Sequence, residues 1–454
     1  MTRTDPTPYA DEGPIEPGSK RDDASHRTSP SGWRAYMHAL GPGLITGASD
    51  DDPSGVATYA QAGAQFKYGL LWTSLMTFPL MAGVQEICDR TALATGESLG
   101  ALARRRFGTF GRAVVAVLLG ALLLANVLNI AADLVAVGAG AQLLNAGPQT
   151  FWAVGSGIGI TVLVMTGSFD LIARVFKVLA SALLAYLGVI VFAHVDWSAV
   201  AGHTLVPHVQ LSKGYIALLI ATLGTTISPY LFFWQSAHRI EDLRREPEGG
   251  DRPEPLPARS RSAARLKQRT SRLDVGVGMA FSNIVMFSII VATASTLGKS
   301  GSVNIDSAAQ AAAALRPFAG GVSTALFAVG LIGAGFLAIP VLAGSAAAGI
   351  SGLVGRRWGF SRSPRDAPIF YVLVAVGTLG GAALSLLGVN PIALLVVVAM
   401  VNGLAAAPFL VVVMLIAGNR RLMGDYVNGR LAATIGWLTV AVMGAAAIAL
   451  VVTQ

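Results

Sequence analysis

Three consecutive carboxylates, Asp50, Asp51 and Asp52, precede Pro53, Ser54 and Gly55 in the middle of an apolar stretch running from Gly41 to Ala64. An aspartate at the centre of a membrane helix costs about 2.5–3.5 kcal/mol on insertion scales, so three at mid-depth must face water, a cation or a cavity. Pro53 lacks a backbone donor and Gly55 tolerates conformations closed to other residues, so the helix is expected to unwind here and free its carbonyls. A second stretch, Leu219 to His238, repeats the theme with Gly224, Thr225, Thr226, Ser228 and Pro229 at its middle. Carbonyls at such breaks carry partial negative charge, and Asp52 adds a full charge beside them, which is the chemistry of holding a cation. An anion would call for basic groups near the break, yet His238 is the one basic residue between Lys213 and Arg239.

The elements that must carry these residues are membrane helices. Of 454 residues 53% are hydrophobic and 13% charged, with a mean hydropathy of +0.60, a balance that suits a bilayer and not water. Apolar runs near the ~20 residues that cross a bilayer as helix recur along the chain. They fall near 38–63, 69–90, 113–142, 149–167, 171–194, 214–238, 275–297, 318–350, 368–388, 391–417 and 431–452. The predicted fold class is therefore an all-α membrane protein of eleven transmembrane helices. Each interrupted segment opens a five-helix half, 38–194 and 214–417. Halves with an odd number of helices sit inverted in the membrane, and residues 431–452 form one extra helix. Gly- or Pro-interrupted segments at corresponding positions of two halves are a pointer to a transport site.

Charge sets the expected orientation. With the N-terminus cytoplasmic, all of the 33 basic residues except Lys67, Lys213, Lys299 and Arg316 lie in the tail or in inner loops, including Arg174 and Lys177. This predicts a multi-pass inner (plasma) membrane protein with a cytoplasmic N-terminus and an extracytoplasmic C-terminus. The net charge of +8 is thereby accounted for, and no nucleic-acid partner is expected. Residues 1–34, polar and without an apolar core, read as a disordered cytoplasmic tail and not as a signal peptide. Residues 35–454 read as one transporter domain, with a Pro- and Arg-rich flexible linker at 243–273. Cys88 is the single cysteine, which excludes a disulfide framework and a multi-thiolate metal site. With six histidines and no Ser/His/Asp constellation, no enzyme and no cofactor are expected. No obligate protein partner is evident.

Several short motifs now carry a resemblance: Gly41-Pro42-Gly43, Asp52-Pro53, Gln61-Ala62-Gly63-Ala64, Leu71-Trp72, Thr95-Gly96 and Ala132-Asp133-Leu134. Beyond its tail the chain resembles the Nramp (natural resistance-associated macrophage protein) metal transporters. That resemblance implies a LeuT-like fold of inverted five-helix repeats plus an extra helix, with alternating access around a central metal site. Typical members read Asp-Pro-Gly-Asn at the first break and Met-Pro-His at the second, with Asp, Asn and Met as ligands. Here those places hold Asp52-Pro53-Ser54-Gly55 and Ser228-Pro229-Tyr230.

Asp52 is kept, while Gly55 and Ser228 stand where Asn and Met would be. Loss of the thioether removes the ligand that favours soft metals, and Mg²⁺ keeps waters and takes one or two carboxylates. The pattern looks like the Nramp-related magnesium transporter branch, which implies Mg²⁺ or Mn²⁺ as transported ions held largely through their waters. The expected metal residues are Asp52, the carbonyls near Gly55 and Thr225, and Ser228. Tyr230 takes the place of the typical His, and Asp51, with Asp50, adds negative potential on the entry route. Ala136 stands where typical members carry a proton-coupling Glu, so uncoupled transport is implied. The alternatives are a proton-coupled Mn²⁺/Fe²⁺ carrier with substitute ligands and a Na⁺-coupled carrier of organic solutes.

Other polar residues carry further expectations. Asp133, with Asn126 and Asn129 on a related face, belongs either to a polar pathway or to a structural hydrogen bond. Glu86 and Arg90 are spaced as a helix-surface pair. His203 and His208 read as loop residues, Gln235 is placed to meet hydration water, and Met400 or Asn402 falls where typical members bring in a tenth-helix Gln.

Overall fold

The computed structural model describes residues 41–166, 184–192, 195–246, 249–250, 253–300, 304–315, 320–388 and 390–453. Among them the chain is helical. The first expected span is α1 (Pro42–Asp50) followed by α2 (Pro53–Phe66), two short helices separated by Asp51 and Asp52. Next come α3 (Trp72–Thr95), α4 (Leu99–Arg106), α5 (Thr109–Leu143) and α6 (Gln149–Met165). The fifth expected span, 171–194, lies mostly outside the described residues, of which α7 (Ala185–Phe192) is its described part. A short α8 (Trp197–Leu205) leads to the second half.

That half opens with another broken pair, α9 (Lys213–Thr226) and α10 (Pro229–Arg244). It continues through α11 (Arg261–Thr296), α12 (Ala308–Ala313), α13 (Ser323–Leu353), α14 (Pro368–Leu384) and α15 (Pro391–Ala417). The four-residue α16 (Arg420–Met423) precedes the final α17 (Arg430–Thr453). Seven described segments are long and apolar enough to cross a membrane: α5, α9 with α10, α11, α13, α14 with its last turn, α15 and α17. The 24 residues of α3 span about 36 Å, but it carries Glu86, Asp89 and Arg90 toward one end.

Two local rules make the breaks. A residue before proline is pushed out of the helical region, and Asp52 (ψ 170°) and Ser228 (ψ 134°) are both extended. Proline is then preorganised for the first helical position, so Pro53 and Pro229 each restart a helix that their own missing N–H had stopped. Close packing depends on glycine. A Cβ on Gly47 would lie 2.0 Å from the Gly278 carbonyl oxygen, and one on Gly224 2.1 Å from that of Ala399. Thus α1 lies backbone to backbone on α11 and α9 on α15, as small residues allow in membrane bundles.

The expected flexible linker differs in part. Residues 261–273 are the first turns of α11, which begins well before its apolar stretch, and Leu256 is buried. Lys267 pairs with Glu246 at 2.5 Å and Asp242 at 3.2 Å, and Arg259 with Glu246 at 2.6 Å. The charges that read as marks of a solvated spacer are partners for one another across the connection.

Candidate metal centre

Asp52 is the N-cap of α2. Its Oδ1 accepts the Gly55 N–H at 2.8 Å and the Ser54 hydroxyl at 2.6 Å, which a side-chain oxygen at this position does for the free donors of a helix start. Its Oδ2 is turned the other way, toward the Tyr230 hydroxyl at 3.3 Å, which also lies 3.3 Å from the Ser49 carbonyl. The carboxylate is 1% exposed. One oxygen therefore holds the local fold while the other looks across at α10.

The second break closes around the same spot. Thr225 Oγ1 lies 3.3 Å from Ser54 Oγ, and a Cβ added to Gly55 would lie 3.2 Å from Thr225 Oγ1. Glycine at 55 thus leaves room between the two breaks that any other residue would fill. Ser228 Oγ donates to the Gly224 carbonyl at 2.7 Å and lies 2.9 Å from the Thr225 carbonyl, so its proton is used on its own break and its lone pairs remain. Of the expected metal residues, Asp52, Gly55, Thr225 and Tyr230 come together directly. Ser228 joins them through the Thr225 backbone, and Asp51 faces α11 instead, where Ser282 Oγ lies 3.3 Å from its Oδ1.

The oxygens gathered here are one carboxylate, hydroxyls and backbone carbonyls, a hard donor set of low total charge. Among the described residues no group of three or more His, Cys, Asp or Glu side chains converges as a metal cage. One sulfur escaped the sequence reading: Met286 of α11, fully buried, lies 3.9 Å from Thr226 Oγ1 through its thioether. No signal flagged it, because it sits outside both breaks.

Asp133 is 1% exposed and neither carboxylate oxygen has a hydrogen-bond partner among the described residues. The structural hydrogen bond that sequence alone allowed is absent there. A Cβ on Gly335 would touch both the Asp133 carbonyl (3.4 Å) and Pro53 (3.5 Å), so Asp133 stands one small residue from the first break. One and two turns before it, Asn129 exchanges amide hydrogen bonds of 2.9 and 3.1 Å with Asn402, and Asn126 bonds Leu342 and Ser345. Asn402 is therefore committed to α5. Met400 lines a cavity of about 340 Å³ with Gln61, Gln65, Asn304 and Asn390.

At the start of α1 the sequence missed a buried ionic network. Asp274 accepts the N–H groups of Gly41, Gly43 and Leu44 at 2.8–3.1 Å, satisfying donors that a helix start leaves free. It also accepts Arg239 at 3.0 Å, and Arg239 pairs with Asp89 at 2.6 Å. Ser271 and Gln235 bond Asp89 as well, and Gln235 meets Thr46 at 2.5 Å, so Gln235 belongs to this network. Glu86 and Arg90 form the expected pair at 3.1 Å, with Arg90 also reaching the Tyr426 carbonyl and Asn428. His203 and His208 stack at 4.5 Å, and each ring sits on a backbone carbonyl.

Residues 43–453 match the family model for natural resistance-associated macrophage protein-like (Nramp) proteins. The divalent metal cation transporter MntH of Yersinia enterocolitica is 26% identical over 417 residues, covering 90% of this chain and 93% of that one. That of Ralstonia nicotianae is 27% identical over 434 residues, covering 91% and 90%. A solved mutant of the Eremococcus coleocola manganese transporter superposes with a TM-score of 0.72 at 18% identity, covering 96% of this chain and 89% of that one. A nucleobase-cation-symport-1 family transporter in a closed conformation shares the fold more distantly, with a TM-score of 0.52 at 17% identity, covering 91% of each chain. Paired breaks and motif residues thus meet in one LeuT-like all-α architecture, and the chain belongs to the Nramp family.

Proposed function

We propose that this protein carries divalent metal cations, Mg²⁺ and Mn²⁺, across a plasma membrane by alternating access, holding the ion at the meeting of the two helix breaks. The observation that carries the reading is the approach of Asp52, Gly55, Thr225 and Tyr230 across that meeting, an all-oxygen cradle with one carboxylate. Mg²⁺ sheds water reluctantly and takes one or two carboxylates, so such a cradle suits an ion that keeps part of its hydration shell. The names of the MntH relatives support a divalent metal as cargo.

Asp52 supplies the charge, the carbonyls near Gly55 and Thr225 supply dipoles, and the hydroxyls of Ser228 and Tyr230 orient first-shell waters. No thioether stands at position 228, which weakens the preference for soft metals. Ala136 and Tyr230 occupy places where a titratable pair would be needed, so transport runs down the metal gradient without proton coupling. The charge pattern of the loops supports a cytoplasmic N-terminus and an extracytoplasmic C-terminus. Uptake of Mg²⁺ and Mn²⁺ into proteoliposomes tests the reading: both ions enter with the native chain, and Asp52→Ala stops them. Undiminished flux in Asp52→Ala overturns the site, and Mn²⁺ uptake with none of Mg²⁺ overturns the hydrated-ion mechanism.

A further inference from the structure

Asp50 and Asp51 are not part of the Asp52 cradle. Asp52 points its free oxygen at α10, whereas Asp50 and Asp51 point at α11. Ser282 Oγ donates to Asp50 Oδ2 at 2.5 Å and lies 3.3 Å from Asp51 Oδ1. One hydroxyl proton serves one acceptor, so most of the acceptor capacity of the two carboxylates is unused. Asp50 Oδ1 and Asp51 Oδ2 have no partner among the described residues, although the two side chains are 0% and 1% exposed and Ser282 is 0% exposed.

This arrangement is built by the register of two helices. Gly43 of α1 lies against Asp274 and Val275 of α11, and Gly47 lies against Gly278, each too close for a side chain. The next four-residue step on α11 is Ser282, opposite the end of α1. The carboxylates thus stand at a helix C-terminus, whose carbonyl end attracts positive charge. Taking two carboxylates out of water without a countercharge costs several kcal/mol each, and no basic side chain bonds either one among the described residues. Two carboxylates and a hydroxyl, all oxygen, neutralise one doubly charged hard cation.

We infer that Asp50, Asp51 and Ser282 form a second divalent-cation position on the α11 side of the break, separate from the Asp52 position facing α9 and α10. The inference rests on the cation-carrying reading above. An ion held here neutralises two of the three adjacent carboxylates, so that a second ion meets Asp52 alone.

Mn²⁺ serves as the probe, with the full chain purified in detergent. Equilibrium binding is expected to count two Mn²⁺ per native chain, one in Asp50→Asn/Asp51→Asn and one in Asp52→Asn. Ser282→Ala should keep both positions with the second about tenfold weaker, and Ser282→Thr should restore it. Electron paramagnetic resonance of the doubly loaded native chain should show dipolar broadening between neighbouring Mn²⁺ ions, lost in both carboxylate variants. One Mn²⁺ per native chain, unaffected by the double variant but lost with Asp52→Asn, overturns this inference and leaves the transport reading standing. A second Mn²⁺ that persists in the double variant or gives no broadening is a surface ion, and it overturns the inference too. Native chain that binds no Mn²⁺ overturns both readings. Should the double variant not fold, Ser282→Ala decides alone, and unchanged affinity at both positions overturns the inference.

Discussion

The hydroxyl of Tyr230 lies 3.3 Å from Oδ2 of Asp52, joining the first turn of α10 to the residue that starts α2. The two residues belong to opposite halves of the chain, and each sits beside a proline that interrupts its own helix. Because Oδ1 of Asp52 is occupied by Ser54 and Gly55, Tyr230 touches the oxygen that the proposed site offers to a cation. The same contact makes several outcomes measurable.

Asp52→Asn separates the cap from the charge. Asparagine caps a helix about as well as aspartate, so thermal stability in detergent is expected to hold. Metal flux into liposomes should nevertheless collapse, because the amide oxygen carries no full charge. Loss of stability together with flux would assign Asp52 a structural role only.

Tyr230→Phe removes the hydroxyl and little else. A hydrogen bond of this kind contributes about 1 kcal/mol, so Mn²⁺ affinity should change by roughly fivefold with the fold intact. Calorimetric titration of Mn²⁺ reads it, and an unchanged dissociation constant would remove Tyr230 from the site.

Ala136 and Tyr230 make the proposed absence of proton coupling testable. A pH dye trapped in the same liposomes should stay constant while Mg²⁺ enters down its gradient. Acidification that requires Mg²⁺ would refute uncoupled transport and return the chain to the proton-coupled type.

Arg239→Ala should be severe. It strands Asp89 and Asp274, which are both 1% exposed, and removing one partner of a buried ion pair costs about 3–5 kcal/mol. The expected result is a large loss of melting temperature or of folded yield. Asp274→Asn keeps a capping oxygen for α1 and should cost less, which separates the ion pair from the cap.

Gly47→Leu should prevent normal assembly, since even its Cβ would lie 2.0 Å from the Gly278 carbonyl oxygen. Backbone cannot yield as a side-chain end can, so overpacking costs of about 1–3 kcal/mol or more are expected. Size-exclusion behaviour and melting temperature report it. Gly276→Ala, where a Cβ meets nothing within 4 Å, is the matched control with no comparable loss.

The sequence by itself determined the class of molecule and the location of its irregularities. Apolar runs must be helices in a bilayer because every backbone group needs an internal partner there, and Pro53 and Pro229 must interrupt them because proline has no N–H to give. The motifs around Asp52 and Ala132-Asp133-Leu134 were enough to carry the family resemblance. What tertiary structure alone decided is which side of each break faces which helix.

Asp51 and Asp52 are neighbours in sequence, yet one meets Ser282 of α11 and the other Tyr230 of α10, because the unwound backbone turns between them. Arg239, Asp89 and Asp274 gave no sequence signal as a set, since each reads as an ordinary charge near a helix end. Only packing at Gly43 and Gly47 brings Asp274 under the start of α1, and such close approach between distant segments depends on the whole bundle and not on local spacing.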